Sequence, residues 1–116
     1  MKSVSCIFCK IINRELDAQI VYEDELTLAF RDIAPAAPHH LLVIPKAHIS
    51  TINEADNTHQ ALLGHMLLVA KRLAQDENIA EKGYRLVMNC NSQGGQTVFH
   101  IHLHVIGGRN MHWPPG

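Results

Sequence analysis

From Phe99 to Val105 the chain alternates apolar residues with histidines, in the order Phe99-His100-Ile101-His102-Leu103-His104-Val105. Side chains along a strand point to opposite faces in turn, so this order predicts one apolar row and one row of three imidazoles. A slip of one residue in the pairing would bury the histidines and expose four large hydrophobes, which makes the register a property of the sequence itself. Neighbouring histidines in such a row would have Cα atoms roughly 6.5 Å apart at a rise of about 3.3 Å per residue, near enough to meet around one phosphate or one metal ion. A rigid strand over residues 98–106 is therefore expected.

The rest of the chain supplies that strand with partners. Ile7, Phe8, Ile11 and Ile12 are spaced for a short amphipathic helix. Ile20-Val21-Tyr22 and Leu26-Thr27-Leu28-Ala29-Phe30 flank the acidic Glu23-Asp24-Glu25 and suggest a hairpin. The prolines of Asp32-Ile33-Ala34-Pro35-Ala36-Ala37-Pro38 interrupt regular structure. A strand then resumes at His40; its continuous apolar run, Leu41 to Ile44, predicts burial on both faces, with Pro45 as its end. Asn57-Thr58-His59-Gln60 resembles a capping box, and Leu62, Leu63, Met66, Leu67, Ala70, Leu73 and Ala74 form the stripe of a long helix behind it. Further strands are expected at 84–89 and 98–106, joined by a loop containing Gly94-Gly95. One long helix inserted among hairpin-linked strands indicates an α+β fold with a mostly antiparallel sheet.

At 116 residues the chain has material for one domain. Its net charge of -1 provides no broad basic field, which argues against nucleic-acid or membrane-surface binding, and no segment approaches the length of a membrane helix. Three cysteines, two of them as Cys6-x-x-Cys9, make no disulfide framework and suit a reducing, cytoplasmic setting, with a nuclear location open in a eukaryotic cell.

Chemistry alone leaves two readings of the histidine row. His-x-His on a strand is a sound chelating pair, and imidazole suits zinc. Equally, a neutral imidazole can attack phosphorus while its neighbours hydrogen-bond the nonbridging oxygens. A purely structural row is the weakest reading, because buried imidazoles need partners and add little apolar burial. Gly94-Gly95 lacks the flanking elements of a Walker loop or a dinucleotide fingerprint.

The stretch from Val98 to Ile106 resembles the signature of the histidine triad nucleotide-binding proteins. Phe30-Arg31-Asp32-Ile33-Ala34-Pro35, His40-Leu41-Leu42-Val43-Ile44-Pro45-Lys46, Gly94-Gly95-Gln96 and the ending Met111-His112-Trp113-Pro114-Pro115-Gly116 match the Hint branch of that family in the same order. The resemblance implies a five-stranded antiparallel sheet with one long and one short helix, joined to a second copy across a homodimer. It implies a hydrolase of purine nucleoside phosphoramidates and aminoacyl adenylates, with purine nucleoside monophosphates as ligands. His102 would be the nucleophile, His104 would contact phosphate and leaving group, His100 would orient the row, and His40 would join from its own strand. Asp32 would accept the ribose hydroxyls; Phe8, Phe30 and Ile33 would enclose the base; Asn89, Gly95, Thr97 and Val98 would complete the phosphate site. Trp113 would influence specificity across the dimer. Catalysis needs no cofactor on this reading. Arg31 departs from a frequent histidine and Thr97 from a frequent serine.

Zinc-containing relatives of the superfamily combine an N-terminal Cys-x-x-Cys with the histidine of a Pro-Lys-x-His block and the first triad histidine. By that resemblance Cys6, Cys9, His48 and His100 would form a structural zinc site. The alternative to an enzyme is a regulatory or adaptor protein that keeps the nucleotide pocket. His39, His59 and His65 are expected on the surface without a role, and Cys90 as a small buried residue.

Overall fold

The computed structural model describes residues 5–116. Its framework is a five-stranded sheet built from β1 (Ile20–Glu23), β2 (Thr27–Arg31), β3 (His39–Pro45), β4 (Tyr84–Val87) and β5 (Leu103–Gly107). The strand order is β1-β2-β3-β5-β4, and every pairing is antiparallel. Among the described residues three α-helices accompany it, α1 (Ile7–Ile12), the long α2 (Gln60–Asp76) and a single turn, α3 (Asn91–Gly94), with short 3-10 turns at Ile52–Glu54 and Asn57–His59.

The sheet is covered on both sides, which explains the unbroken apolar runs in its central strands. On one face Ala29, Leu41, Val43, Leu103 and Val105 pack with Met66, Val69, Ala70 and Leu73 of α2. On the other, Leu28, Phe30, Leu42 and Ile44 pack with Cys6, Phe8, Cys9 and Ile11 at α1. Consecutive residues of β2 and β3 thus enter different cores. The hairpin between β1 and β2 turns where expected, fixed by the Asp24 carboxylate, which accepts from Leu26 N and Thr27 N at 2.9 and 2.8 Å.

Five local expectations are corrected. The strand expected over 98–106 begins only at Leu103. Pro45 would fall in the partner strand just beyond the last pairs, Val43↔Leu103, and it has no N–H to continue the ladder. Ile101 N turns to Ile49 O instead, at 2.8 Å, and Phe99 leaves the apolar row to stand 49% exposed. The expected strand over 84–89 ends at Val87. The capping residue ahead of α2 is Asp56, whose side chain accepts from Thr58 N while His59 accepts from Asp56 N, so the box starts one residue earlier than the sequence suggested. Finally, Leu67 is half exposed whereas Val69 is buried, and the loop around Gly94-Gly95 contains the α3 turn, closed by Gly95 at φ 82°.

Candidate active site and metal centre

The catalytic candidates lie on the α1 face of the sheet. Pairing of β3 with β5 sets Leu42 opposite His104 and His40 opposite Ile106, so His40 and His104 are diagonal neighbours on one face. Their rings meet: His40 Nε2 is 2.9 Å from His104 Nδ1. Asp32, one residue past β2, is tied in by its N–H to His40 O at 2.9 Å, and its Oδ2 lies 3.4 Å from His40 Nε2.

Backbone partners determine the ring protons. Ala36 N–H donates to His40 Nδ1 at 2.9 Å, leaving the His40 proton on Nε2, where it is donated to His104 Nδ1. His104 therefore carries its own proton on Nε2, which is buried and has no partner among the described residues. His102 Nδ1 faces the carbonyl of His100 at 2.8 Å. A carbonyl only accepts, so Nδ1 is the donor and the lone pair of His102 resides on Nε2.

Burial favours neutral rings. Desolvation holds His102 below its ordinary value, partly opposed by the bond to His100 O and by the charge of Asp32. His104 is pushed down to about 4, first by desolvation and then by His102 and His40. The result is a neutral row with one free nitrogen lone pair and one free N–H.

These rings stand at the end of a cleft of about 350 Å³ lined by Phe8, Phe30, Asp32, Ile33, Thr97, Val98, His102 and His104, with Leu42, Ile7, Ile11, Leu16, Asp17 and Ala18. Phe8 sets its edge against His102 at 5.1 Å and against Phe30 at 5.5 Å. Ile33 is 98% exposed at the mouth. Asn89 and Gly95 are not among the lining residues, and Trp113 is 83% exposed in the C-terminal tail. Sequence reasoning missed Gln96, which is buried and bonds Ser50 O and Val98 O at 2.8 and 3.0 Å and accepts from Asn91 N at 2.9 Å. It stitches the α3 loop to the floor of the cleft; the signal was its place in the Gly94-Gly95-Gln96 block.

The first histidine of the row faces elsewhere. His100, fully buried, donates from Nε2 to Pro45 O at 2.8 Å and turns Nδ1 toward Cys6 Sγ at 3.4 Å, Cys9 Sγ at 3.6 Å and His48 Nδ1 at 3.2 Å. Cys9 Sγ is 3.3 Å from His48 Nδ1. All four ligand atoms lie within 4.8 Å of one another. Tetrahedral zinc with Zn–N near about 2.05 Å and Zn–S near about 2.3 Å would separate nitrogen pairs by about 3.3 Å and nitrogen–sulfur pairs by about 3.6 Å, so the donor set has the right size as well as the right chemistry. Two further features suit a metal: Cys9 N–H approaches Cys6 Sγ at 3.4 Å, and the bond to Pro45 O fixes the His100 tautomer that leaves Nδ1 free.

His39, His59 and His65 are not idle surface residues: each has an acidic or backbone partner, Glu77 at 2.9 Å, Asp56 N at 3.1 Å and Asp24 at 2.7 Å respectively. Cys90 is half-buried.

A sheet in this order, with His40 bonded to His104 and His102 beside them at an apolar cleft, defines a histidine triad protein. The sequence model of the HIT domain matches residues 13–111, and the chain belongs to that family. Among its relatives, a HIT-like protein of Synechococcus elongatus is 58% identical over 114 residues, spanning 98% of this chain and 99% of that one. The purine nucleoside phosphoramidase of Escherichia coli K12 is 54% identical over 105 residues, 90% of this chain and 88% of that one. The crystal structure of a HIT family hydrolase from Legionella pneumophila superposes with a TM-score of 0.95 at 58% identity, covering 97% of this chain and all of that one.

Proposed function

We propose that this chain is a purine nucleoside phosphoramidase that cleaves the P–N bond, releases AMP-type nucleotides and also accepts aminoacyl adenylates. The reaction runs through a covalent nucleotidyl-histidine. The tautomer of His102 carries this reading: with Nδ1–H bound to the His100 carbonyl, the Nε2 lone pair is the one available to attack phosphorus. As the Nε2–P bond forms, the P–N bond breaks and the leaving amine takes up a proton from solvent; the water consumed in the second step returns one. His104 Nε2–H, buried with no partner among the described residues, donates to phosphate oxygen or leaving group, and His40 stabilises that orientation from behind. Water then attacks phosphorus and breaks the Nε2–P bond, which releases the nucleotide and restores the imidazole. Asp32 accepts the ribose hydroxyls at the cleft mouth, while Phe8, Phe30 and Ile33 enclose the purine; Thr97 and Val98 complete the phosphate end from the cleft wall, and Asn89 and Gly95 are assigned there by the family resemblance alone.

Zinc held by Cys6, Cys9, His48 and His100 is structural on this reading. It would supply a structural crosslink between the N-terminal helix and the segments that carry His48 and His100. The active unit is a homodimer. Support for it comes from the free edge of β4 and from an apolar groove of about 200 Å³ formed by Ile52, Leu63, Met66, Leu67, Met88 and Leu103. The location is cytoplasmic, the reducing setting that three cysteines without a disulfide framework suit; no described helix is long and apolar enough to cross a membrane.

The test follows AMP release from adenosine 5′-phosphoramidate by wild type and His102→Ala. The variant should lose turnover by at least about a thousandfold while binding AMP, and rapid acid quench of wild type should trap a nucleotidyl adduct on His102 by mass. Near-wild-type turnover in the variant overturns the mechanism.

A further inference from the structure

At the junction of β2 and β3 four polar residues stand in two adjacent pairs, Arg31-Asp32 and His39-His40. Strand alternation divides them between the faces: Asp32 and His40 turn to the cleft, Arg31 and His39 to the side of α2. On that side Glu77 receives them. Its carboxylate accepts from both terminal guanidinium nitrogens of Arg31, at 2.7 and 2.9 Å, and lies 2.9 Å from His39 Nδ1.

Glu77 is the C-cap of α2, a place where the helix itself disfavours a carboxylate, since the unpaired carbonyls there are already the negative end of the dipole. Arg31 and His39 reverse that preference. Their hydrogen bonds, those of Arg31 foremost, outweigh burial and hold the carboxyl down to about 2. One side chain at the end of a helix therefore joins the last residue of β2 to the first of β3, the two ends of the segment that carries Asp32, Ile33 and the Ala36 N–H bound to His40. Arg109 Nε donates to Ala36 O at 2.9 Å and secures the middle of the same segment.

We propose that Glu77 is a positioning residue for the reaction: by bridging Arg31 and His39 it presets Asp32, on the opposite face, for the sugar of the nucleotide. The proposal rests on the reading of Asp32 as the ribose acceptor. Without the bridge Arg31 and His39 lose their shared carboxylate, and only the strand pairing and the bond from Asp32 N–H to His40 O hold the two ends; that looser closure lets the Asp32 carboxylate shift against the ribose while leaving His102 untouched.

The experiment compares adenosine 5′-phosphoramidate with its 2′,3′-dideoxy counterpart, which offers Asp32 nothing to bind. Wild type should favour the ribose substrate. Glu77→Gln should raise KM for the ribose substrate roughly tenfold with little change in kcat, and should alter the dideoxy substrate by less than about twofold. Arg31→Gln should give the same pattern, and the double variant should be no worse than either single one; this variant removes the bridge from the strand side and decides the matter where Glu77→Gln folds poorly. Full retention of ribose preference in both variants overturns the proposal, as does an equal loss on both substrates, which would mark a contribution to stability alone. Wild type lacking any ribose preference overturns the reading of Asp32 and the proposal with it.

Discussion

Mild acid is the most informative perturbation of this site, because the structure sets the proton affinity of the row far from that of an ordinary histidine. At pH 5.5 an imidazole with its usual value of 6.5 is about nine-tenths protonated, whereas one titrating at about 4 is only about 3% protonated. His104 belongs to the second kind. Desolvation leads, His102 and His40 add to it, and protonating Nδ1 also breaks the bond from His40 Nε2. His102 is shifted in the same direction by its burial. After division by the substrate's own titration, followed by phosphorus NMR, kcat/KM should thus lose less at pH 5.5 than the roughly tenfold that a row titrating at 6.5 would impose; the uncatalysed acid hydrolysis is subtracted at each pH. This quantity reports the free enzyme, before an anionic phosphate can raise the imidazoles. A direct check is the His104 ring Cε1–H resonance, which should begin to shift only well below pH 6. Because Asp32 opposes the shift, Asp32→Asn should lower the midpoint further. Stability has the matching sign. The unfolded chain binds the proton below 6.5 and the folded one only near 4, so stability is lost as pH falls through that window. The full shift corresponds to about 3 kcal/mol, reduced to about 1–2 kcal/mol by the partial exposure of the ring. A one-proton fall in kcat/KM centred at 6.5, with His104 titrating there by NMR, would refute the reasoning.

Three other outcomes are expected. Protein purified without added metal should contain near one equivalent of zinc per chain, and Cys6→Ser/Cys9→Ser should lose it together with thermal stability; metal analysis and calorimetry decide, and full retention of zinc by the variant excludes these ligands. A Cβ on Gly107 would come within 2.6 Å of Ile79 Cδ1, so Gly107→Ala should cost about 1–3 kcal/mol in urea denaturation and be relieved in part by Ile79→Val. Deleting residues from Met111 onward removes the exposed Trp113 and the contact from Arg85 to His112 O at 2.9 Å; competition assays should show altered discrimination among leaving amines and little change in AMP affinity.

The sequence by itself determined which residues enter the cores and which chemistry is present. The unbroken apolar run from Leu41 to Ile44 requires cover on both faces, and the structure supplies α2 on one and α1 on the other. The spacing of Met66, Ala70, Leu73 and Ala74 marks the buried side of a helix whatever it packs against. The alternation at Leu103, His104 and Val105 is likewise a true strand. These features were legible because burial acts on side chains at short, regular intervals. Tertiary structure decided how the three histidines divide their work. Pro45 ends the ladder, so His100 leaves the expected row and turns to Cys6, Cys9 and His48, while His102 and His104 remain with the cleft. The tautomers that give His102 a free Nε2 and His104 a free Nε2–H depend on a carbonyl at His100 and an N–H at Ala36. Glu77 reaches Arg31 across 46 positions of sequence. Backbone donors and acceptors are the same at nearly every residue and a single distant carboxylate has no periodicity, so only the folded chain shows which of them face the site.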